Sequence, residues 1–359
     1  MKINITKLFA ILILISLLYY IQIFIFQNID FILEENIITK KTLLLIISII
    51  VLSVLTKTPF FIWEKIYYLA YYISSIYLGY ICNSLLACII YKLINLFIHI
   101  NINLSLFLVF YFPILISIYG IINARIIRIE EIIIKSKKYK NNNPIKVCHL
   151  TDLHLGTVFR KNFVQNIVNK IKNIIKPDII VITGDLFDNS NIPIYEYIEP
   201  FNEINVPILY VTGNHEIMIG KVEVLKVLNK SKIKNIGNNS VPYIFKNINF
   251  IGIDYESKFE ILKDIKYDKN MFNIILNHVP ISPKDLSQYD IDILLCGHTH
   301  GGQTFPFNVL TYFNAICYQG LYECLNRYVY VSSGLGATLI PMRIGSKSVI
   351  SVIKIDSTE

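Results

Sequence analysis

Ile179-Ile180-Val181-Ile182-Thr183-Gly184-Asp185 decides how this chain is to be read. Four β-branched apolar residues in a row fit a strand buried on both faces, as in a parallel sheet covered by helices. Pro177-Asp178 precedes the run, and it stops on Thr-Gly-Asp. An apolar strand that ends by presenting a carboxylate is a common way for an α/β sheet to build a site.

The same design recurs on either side. Ile145–Leu150 runs into Thr151-Asp152-Leu153-His154, and Pro207–Val211 runs into Thr212-Gly213-Asn214-His215-Glu216. Phe272–Leu276 runs into Asn277-His278, and Ile293–Cys296 into Gly297-His298-Thr299-His300-Gly301-Gly302-Gln303. Apolar spacing of three and four predicts helices over Lys161–Ile175 and Gly220–Asn229. Five of the seven histidines fall at these strand ends, so the ends are expected to converge on one crevice. Carboxylate and amide oxygens with imidazole nitrogens suit borderline divalent ions: Mn, Fe, Zn or Co. The set has no thiolate, which disfavours a structural zinc site. A carboxylate can bridge two cations, and a pair about 3.5–4 Å apart can clamp a phosphoryl group during in-line displacement.

The five blocks, D-x-H, G-D-x-x-D, G-N-H-E, a strand-end His and G-H-T-H-G-G-Q, resemble in order those of the calcineurin-like metallophosphoesterases. The resemblance covers about residues 145–355. It implies an α/β fold, a four-layer αββα sandwich, and two divalent metal ions. By the same resemblance Asp152, His154 and His300 hold the first metal and Asn214, His278 and His298 the second, while Asp185 bridges them. A hydroxide between the metals then attacks phosphorus. His215 is a catalytic residue that stabilises the transition state or protonates the leaving oxygen. Asp188 stands where purple acid phosphatases place a tyrosine ligand, which argues against that branch; it is read as supporting a ligand or as a solvated loop residue.

Outside these blocks the readings are mostly structural. His149 reads as a packed strand histidine, Glu216 as an orienting group, and Gly334 and Gly336 as a turn. Arg343 reads equally as a salt-bridging residue and as a phosphate ligand. The aromatics of Thr304–Tyr318 are expected to lie buried under the domain; the sharper alternative is a lip for a membrane substrate.

The N-terminal third is different. Hydrophobic residues make up 53% of the chain and charged residues 17%, and the long uncharged runs lie before residue 125. An all-α transmembrane region of about four helices is expected over 1–124, a basic linker over 125–144 and the metallophosphoesterase domain over 145–359. Leu8–Phe26 and Ile66–Tyr91 are uncharged stretches of spanning length. Thr42–Thr56 is shorter, and Leu104–Asn123 contains Pro113, which membrane helices tolerate. Leu8–Phe26 is read as an uncleaved helix because no small-x-small site follows. His99, followed by Asn101 and Asn103, reads as part of an interfacial loop. Arg125–Lys135 either continues the last helix or forms an edge strand. Asn123-Ala124-Arg125 resembles the exit of a membrane-bound bacterial branch of the superfamily.

Basic residues surrounding four spans favour a multi-pass protein of the cell membrane with a cytoplasmic catalytic domain. Lys and Arg exceed Asp and Glu by seven up to residue 144 and by one beyond it. The near-neutral domain argues against extended nucleic-acid binding. Six cysteines without C-x-x-C spacing read as small buried hydrophobes. The expected partner is a phosphate-ester substrate, a membrane lipid among the candidates. The expected reaction is hydrolysis of a phosphodiester or pyrophosphate, of a lipid or nucleotide-linked lipid; relatives that cleave UDP-diacylglucosamine make that one candidate by resemblance. The alternatives are a small-nucleotide phosphodiesterase and a non-catalytic sensor or transporter component with a relic metal domain.

Overall fold

The computed structural model describes residues 5–27, 37–55, 64–141, 143–188 and 193–357. The chain divides into two compact units, one of residues 1–122 with 339–342, the other of 123–338 with 343–359.

The first unit is helical: α1 (Ile5–Gln27), α2 (Ile37–Leu55), α3 (Glu64–Asn95), α4 (Ile102–Leu106) and α5 (Phe112–Arg125). Ile66–Asn95 and Asn103–Arg125 are each long and apolar enough to cross a membrane. The first two expected spans form helices whose apolar stretches, Ala10–Ile25 and Lys41–Val54, are shorter. Between α4 and α5 the turn widens over Phe107–Tyr111, where the Phe112 N–H reaches the Phe107 carbonyl. Pro113 lies just beyond; a proline removes one helical donor and crowds the preceding turn, and a wider turn relieves both. Gln22 and Ser48 are buried and hydrogen-bonded to each other at 2.8 Å, as polar side chains between apolar helices must be. His99 is exposed in the loop after α3. Lys2 and Lys57, two of the charges behind the expected orientation, lie outside the described residues.

The second unit begins earlier than the expected boundary. Residues 127–136 are not a linker: they form β1 (Ile127–Ser136), an edge strand parallel to the last strand of the chain. Ten residues with few turn formers can supply a full ladder, and only the partner strand, over two hundred residues away, decides between helix and strand here. The strands and helices that follow are β2 (Ile145–Leu150), α6 (Lys161–Lys170), β3 (Ile179–Thr183), α7 (Tyr195–Ile198), β4 (Ile208–Val211), α8 (Asn214–Ile219), α9 (Lys221–Leu228) and β5 (Ile233–Asn235). Then come β6 (Tyr243–Phe245), β7 (Ile248–Gly252), β8 (Phe272–Leu276), α10 (Pro283–Leu286), β9 (Ile293–Cys296), α11 (Phe307–Asn314), β10 (Gly320–Cys324), β11 (Arg327–Val331) and β12 (Ser348–Ser357).

Two six-stranded sheets result, in the orders β1-β12-β2-β3-β4-β5 and β10-β11-β9-β8-β7-β6. β2, β3, β4 and β5 are parallel, as are β7, β8, β9 and β11. Alternation along each strand sorts the layers. Val147, Ile179, Val181 and Leu209 of the first sheet meet Phe250, Phe272, Ile274 and Leu295 of the second in one buried cluster. Cys148, Ile180 and Ile182 face the other way, onto Val164, Ile167 and Val168 of α6. Ile251, Ile275 and Leu294 pack outward against Leu262 and Leu286. This is the expected αββα sandwich, with short helical turns rather than long helices on the second sheet. The strands end in parallel on one edge, which gathers the loops that follow them.

Candidate metal centre

Seven residues named from the sequence come together at that edge. β2 and β3 deliver Asp152, His154 and Asp185, the start of α8 delivers Asn214, and β8 and β9 deliver His278, His298 and His300. His154 Nε2 and His300 Nε2 lie 3.0 Å apart. Asp152 Oδ1 is 3.3 Å from His300 Nε2 and 3.9 Å from His154 Nε2. The second group is centred on His278 Nε2, with Asn214 Oδ1 and His298 Nδ1 at 3.1 Å and Asp185 Oδ2 at 3.2 Å. Asp185 Oδ2 also lies 3.8 Å from His154 Nε2, so one carboxylate faces both groups. His215 Nε2 is 3.9 Å from the same oxygen, and with His154 and Asp185 it makes a third set of donors within 4.8 Å.

The donors fit metal ions. Asp152 and His154 are fully buried, and Asp152 Oδ1 has no hydrogen-bond partner. A buried carboxylate oxygen left without a donor is costly unless a cation meets it. Burial drives the His154 ring down to about 3, and burial with neighbouring His154 carries His300 well below its usual range. Burial, helped by His278, takes His298 down to about 4. Neutral imidazoles offer the lone pairs that metals need. Burial raises Asp152 to about 6, opposed by His278 and reinforced by Asp185. Burial would also raise Asp185, but His278, His154 and His215 hold it well below the carboxylate range. Burial opposes charge on His278, yet the Asp185 carboxylate lifts it to about 10. The Asp185 carboxylate thus favours positive charge at His278, as a site built for a cation should.

Supporting groups fix these donors. His278 Nδ1 is 2.9 Å from the Thr183 carbonyl. A carbonyl only accepts, so Nδ1 carries the proton and Nε2 faces the centre. The Glu216 carboxylate is fully buried and accepts four main-chain N–H groups, from Asp185, Leu186, Phe187 and Gly213. Gly213 is required: a Cβ there would meet Asp185 Oδ1 and lie 2.6 Å from the Asp185 nitrogen. At Gly297 a Cβ would meet Asp152 Oδ2. Asp152, His154, Asp185, His298 and His300 all have positive φ, between 47° and 72°. Such backbones are strained for non-glycine residues, by about 1–3 kcal/mol each, and cluster where a site imposes them.

The remaining candidates separate clearly. Arg343 is neither a salt bridge nor a free phosphate ligand: it is fully buried, and donates to the carbonyls of Gly336, His300 and Lys347. Asp188 is not in any of the three donor sets; it accepts the Thr157 N–H. His149 is buried with Nε2 2.7 Å from Thr183 Oγ1, a packed strand histidine. Leu335 and Gly336 donate to the Thr151 and Asp152 carbonyls, so the glycine turn braces a ligand loop. The aromatics after the last motif are not buried: α11 has no buried side chain, and Tyr312 and Phe313 are 63% and 77% exposed. The sequence reading missed Asp254, which follows β7, is buried, and accepts the Thr212 N–H in the loop that carries Asn214. The signal was there, since Phe250-Ile251-Gly252-Ile253 is one more short run without polar side chains that ends in a carboxylate.

Comparison with known proteins agrees with this geometry. The calcineurin-like phosphoesterase family profile matches residues 145–302. An uncharacterized metallophosphoesterase of Campylobacter jejuni is 32% identical over 274 residues, covering 74% of this chain and 72% of that one. One of Helicobacter pylori is 33% identical, covering 60% of this chain and 61% of its own. A transmembrane protein with a metallophosphoesterase domain from Danio rerio is 30% identical, covering 66% of this chain and 59% of its own length. Five strand ends in the right order, donors converging on a shared aspartate and a relative matched over most of both chains lead to one conclusion: the chain belongs to the calcineurin-like metallophosphoesterase family.

Proposed function

We propose that the chain is a membrane-anchored phosphoesterase that hydrolyses a phosphodiester or pyrophosphate of a lipid or nucleotide-linked lipid at a dinuclear metal centre. The observation that carries this reading is Asp185 Oδ2, which faces both donor groups at 3.2 and 3.8 Å. In this reading Asp152, His154 and His300 hold one ion, Asn214, His278 and His298 the other, and Asp185 both. When bound, the ions supply Lewis acidity and charge neutralisation for phosphoryl transfer.

The protein's own groups do the rest. Thr183 and Glu216 keep His278 and Asp185 in place. His215, mostly buried beside Asp185 with 12% of its side chain exposed, donates a proton to the leaving oxygen or a hydrogen bond to the phosphoryl group. Arg343 is engaged by main-chain carbonyls, so it serves the frame of the site and not the phosphoryl group. The membrane-spanning helices keep the site within reach of a membrane-associated ester, and the basic residues around them favour a multi-pass anchor with the catalytic unit on the cytoplasmic face.

The test is hydrolysis of bis(p-nitrophenyl) phosphate by full-length protein loaded with Mn, Fe, Zn or Co in turn, alongside metal analysis. We expect two ions per chain in the wild type. Asp185→Asn should lose at least one ion and on the order of 10²–10³-fold in kcat. A loaded wild type no faster than Asp185→Asn would overturn the enzyme reading.

A further inference from the structure

A groove of about 470 Å³ opens beside the metal centre, and apart from His298 its lining takes no part in the phosphate chemistry above. It begins at His298 and Thr299, runs past Val279 and Pro280, which follow His278 directly, and ends on Leu310 and Ile316. None of its lining residues carries a charge. Its volume lies in the usual range of small-ligand sites, about 300–1,000 Å³. Leu310 and Ile316 are 54% and 68% exposed. Residues 301–322, which include this wall, contain no Asp, Glu, Lys or Arg.

An uncharged groove that starts at a metal ligand constrains its occupant. Whatever lies in it hangs from the phosphorus held at the centre, so it is the substituent of the ester. A charged substituent would find no opposite charge there, and of the polar lining the Thr299 hydroxyl and the Asn314 amide already donate to the Tyr318 and Leu310 carbonyls, whereas an apolar chain would bury itself against Leu310, Ile316 and Val279. We propose that this groove binds the alkyl or acyl chain of an amphiphilic phosphoester whose phosphoryl group lies at the metal centre. This rests on the phosphoesterase reading above and names its substrate class.

The test uses manganese-loaded full-length protein in lipid nanodiscs and a series of alkylphosphonates from methyl to hexyl, with affinity measured by calorimetry. Affinity should rise about three- to fourfold per methylene until the groove is filled. The double substitution Leu310→Ser, Ile316→Ser should reduce that rise to less than about 1.5-fold, while Ile244→Ser, at an exposed apolar position on β6, should keep the wild-type rise. Partitioning into the nanodisc lipid affects all three proteins equally and cancels in the comparison. A wild-type affinity independent of chain length, or an unchanged rise in the double variant, would overturn the groove. Hydrolysis of bis(p-nitrophenyl) phosphate by the same preparation is scored separately: a rate no faster than that of Asp185→Asn overturns the phosphoesterase reading, while the affinity series still decides whether the groove holds an apolar chain.

Discussion

The carboxylate of Glu216 accepts the main-chain N–H of Asp185 at 2.9 Å, so the residue facing both donor groups is held by a neighbour that faces neither. Glu216 Oε2 also takes the Gly213 N–H at 2.7 Å, and Oε1 takes those of Leu186 and Phe187 at 2.9 and 3.2 Å. Burial, with the nearby Asp185 charge, pushes its acid up to about 7 against those donors. Glu216→Gln turns an amide NH₂ toward two of the N–H groups. It should fold but lose about 10- to 100-fold in metal affinity, the usual cost of disturbing a group that orients a ligand. Glu216→Ala leaves all four donors bare and should destabilise the unit by at least about 3 kcal/mol. Metal titration and urea denaturation separate the two outcomes; wild-type affinity in Glu216→Gln would show that the N–H cradle does not position Asp185.

Removing metal should soften the catalytic unit. Each ion present at about a hundred times its dissociation constant stabilises the folded state by about 2.7 kcal/mol. Chelation of two ions should therefore lower the unfolding temperature by about 10–20 °C for a unit of this size. The melting of the wild type with and without chelator checks this; a Tm insensitive to chelator while metal leaves the protein contradicts it.

Arg343 is a strut whose guanidinium meets main-chain carbonyls and the Ser346 hydroxyl and, among the described residues, no carboxylate. Its guanidinium donates to the Gly336 carbonyl at 2.6 and 3.0 Å, to Lys347 at 2.8 Å and to His300 at 3.3 Å. Burial brings its pKa down to about 10, so it stays cationic at neutral pH. Arg343→Met keeps much of the volume but strips the Gly336 carbonyl of both its donors, while the Lys347 and His300 carbonyls keep the Ser333 hydroxyl and the Gln303 N–H; this should cost about 1–3 kcal/mol. Because one carbonyl belongs to His300, metal retention should fall as well. Denaturation and metal content of the variant test both; loss of substrate affinity alone, at unchanged stability, would instead favour a phosphate contact.

His149 gives the pH dependence a definite sign. Burial lowers its pKa from 6.5 to about 3, so the folded chain keeps it neutral while the unfolded chain protonates it below 6.5. The unfolded state then binds more protons, and stability falls by about 1.4 kcal/mol per pH unit from 6.5 down toward 3. His149→Leu loses the 2.7 Å contact with Thr183 Oγ1, so it should be the less stable protein at pH 7.5. The gap should close by about 2–3 kcal/mol by pH 4.5. Urea denaturation in excess chelator isolates this effect from metal loss, and parallel pH curves for the two proteins would exclude it.

The sequence by itself determined the strand ends and the chemistry placed on them. Ile179–Ile182 with Asp185, and Ile293–Cys296 with His298 and His300, are local patterns: apolar runs of strand length ended by polar residues need no distant partner to be recognised. It also determined that the N-terminal part is helical and apolar. Tertiary structure decided the rest, because the deciding interactions join residues far apart in the chain. Whether 127–136 is helix or strand depends on β12, more than two hundred residues on. That Arg343 meets carbonyls rather than phosphate depends on how the loops of Gly336 and His300 fold over it. That Asp152, His154, Asp185, His298 and His300 hold positive φ cannot be read from residue types that ordinarily avoid it; the packing of two sheet edges imposes it. The exposure of Leu310 and Ile316 follows the same logic. Their apolar character is local, but whether they enter the core or line a groove is set by what the two sheets leave uncovered.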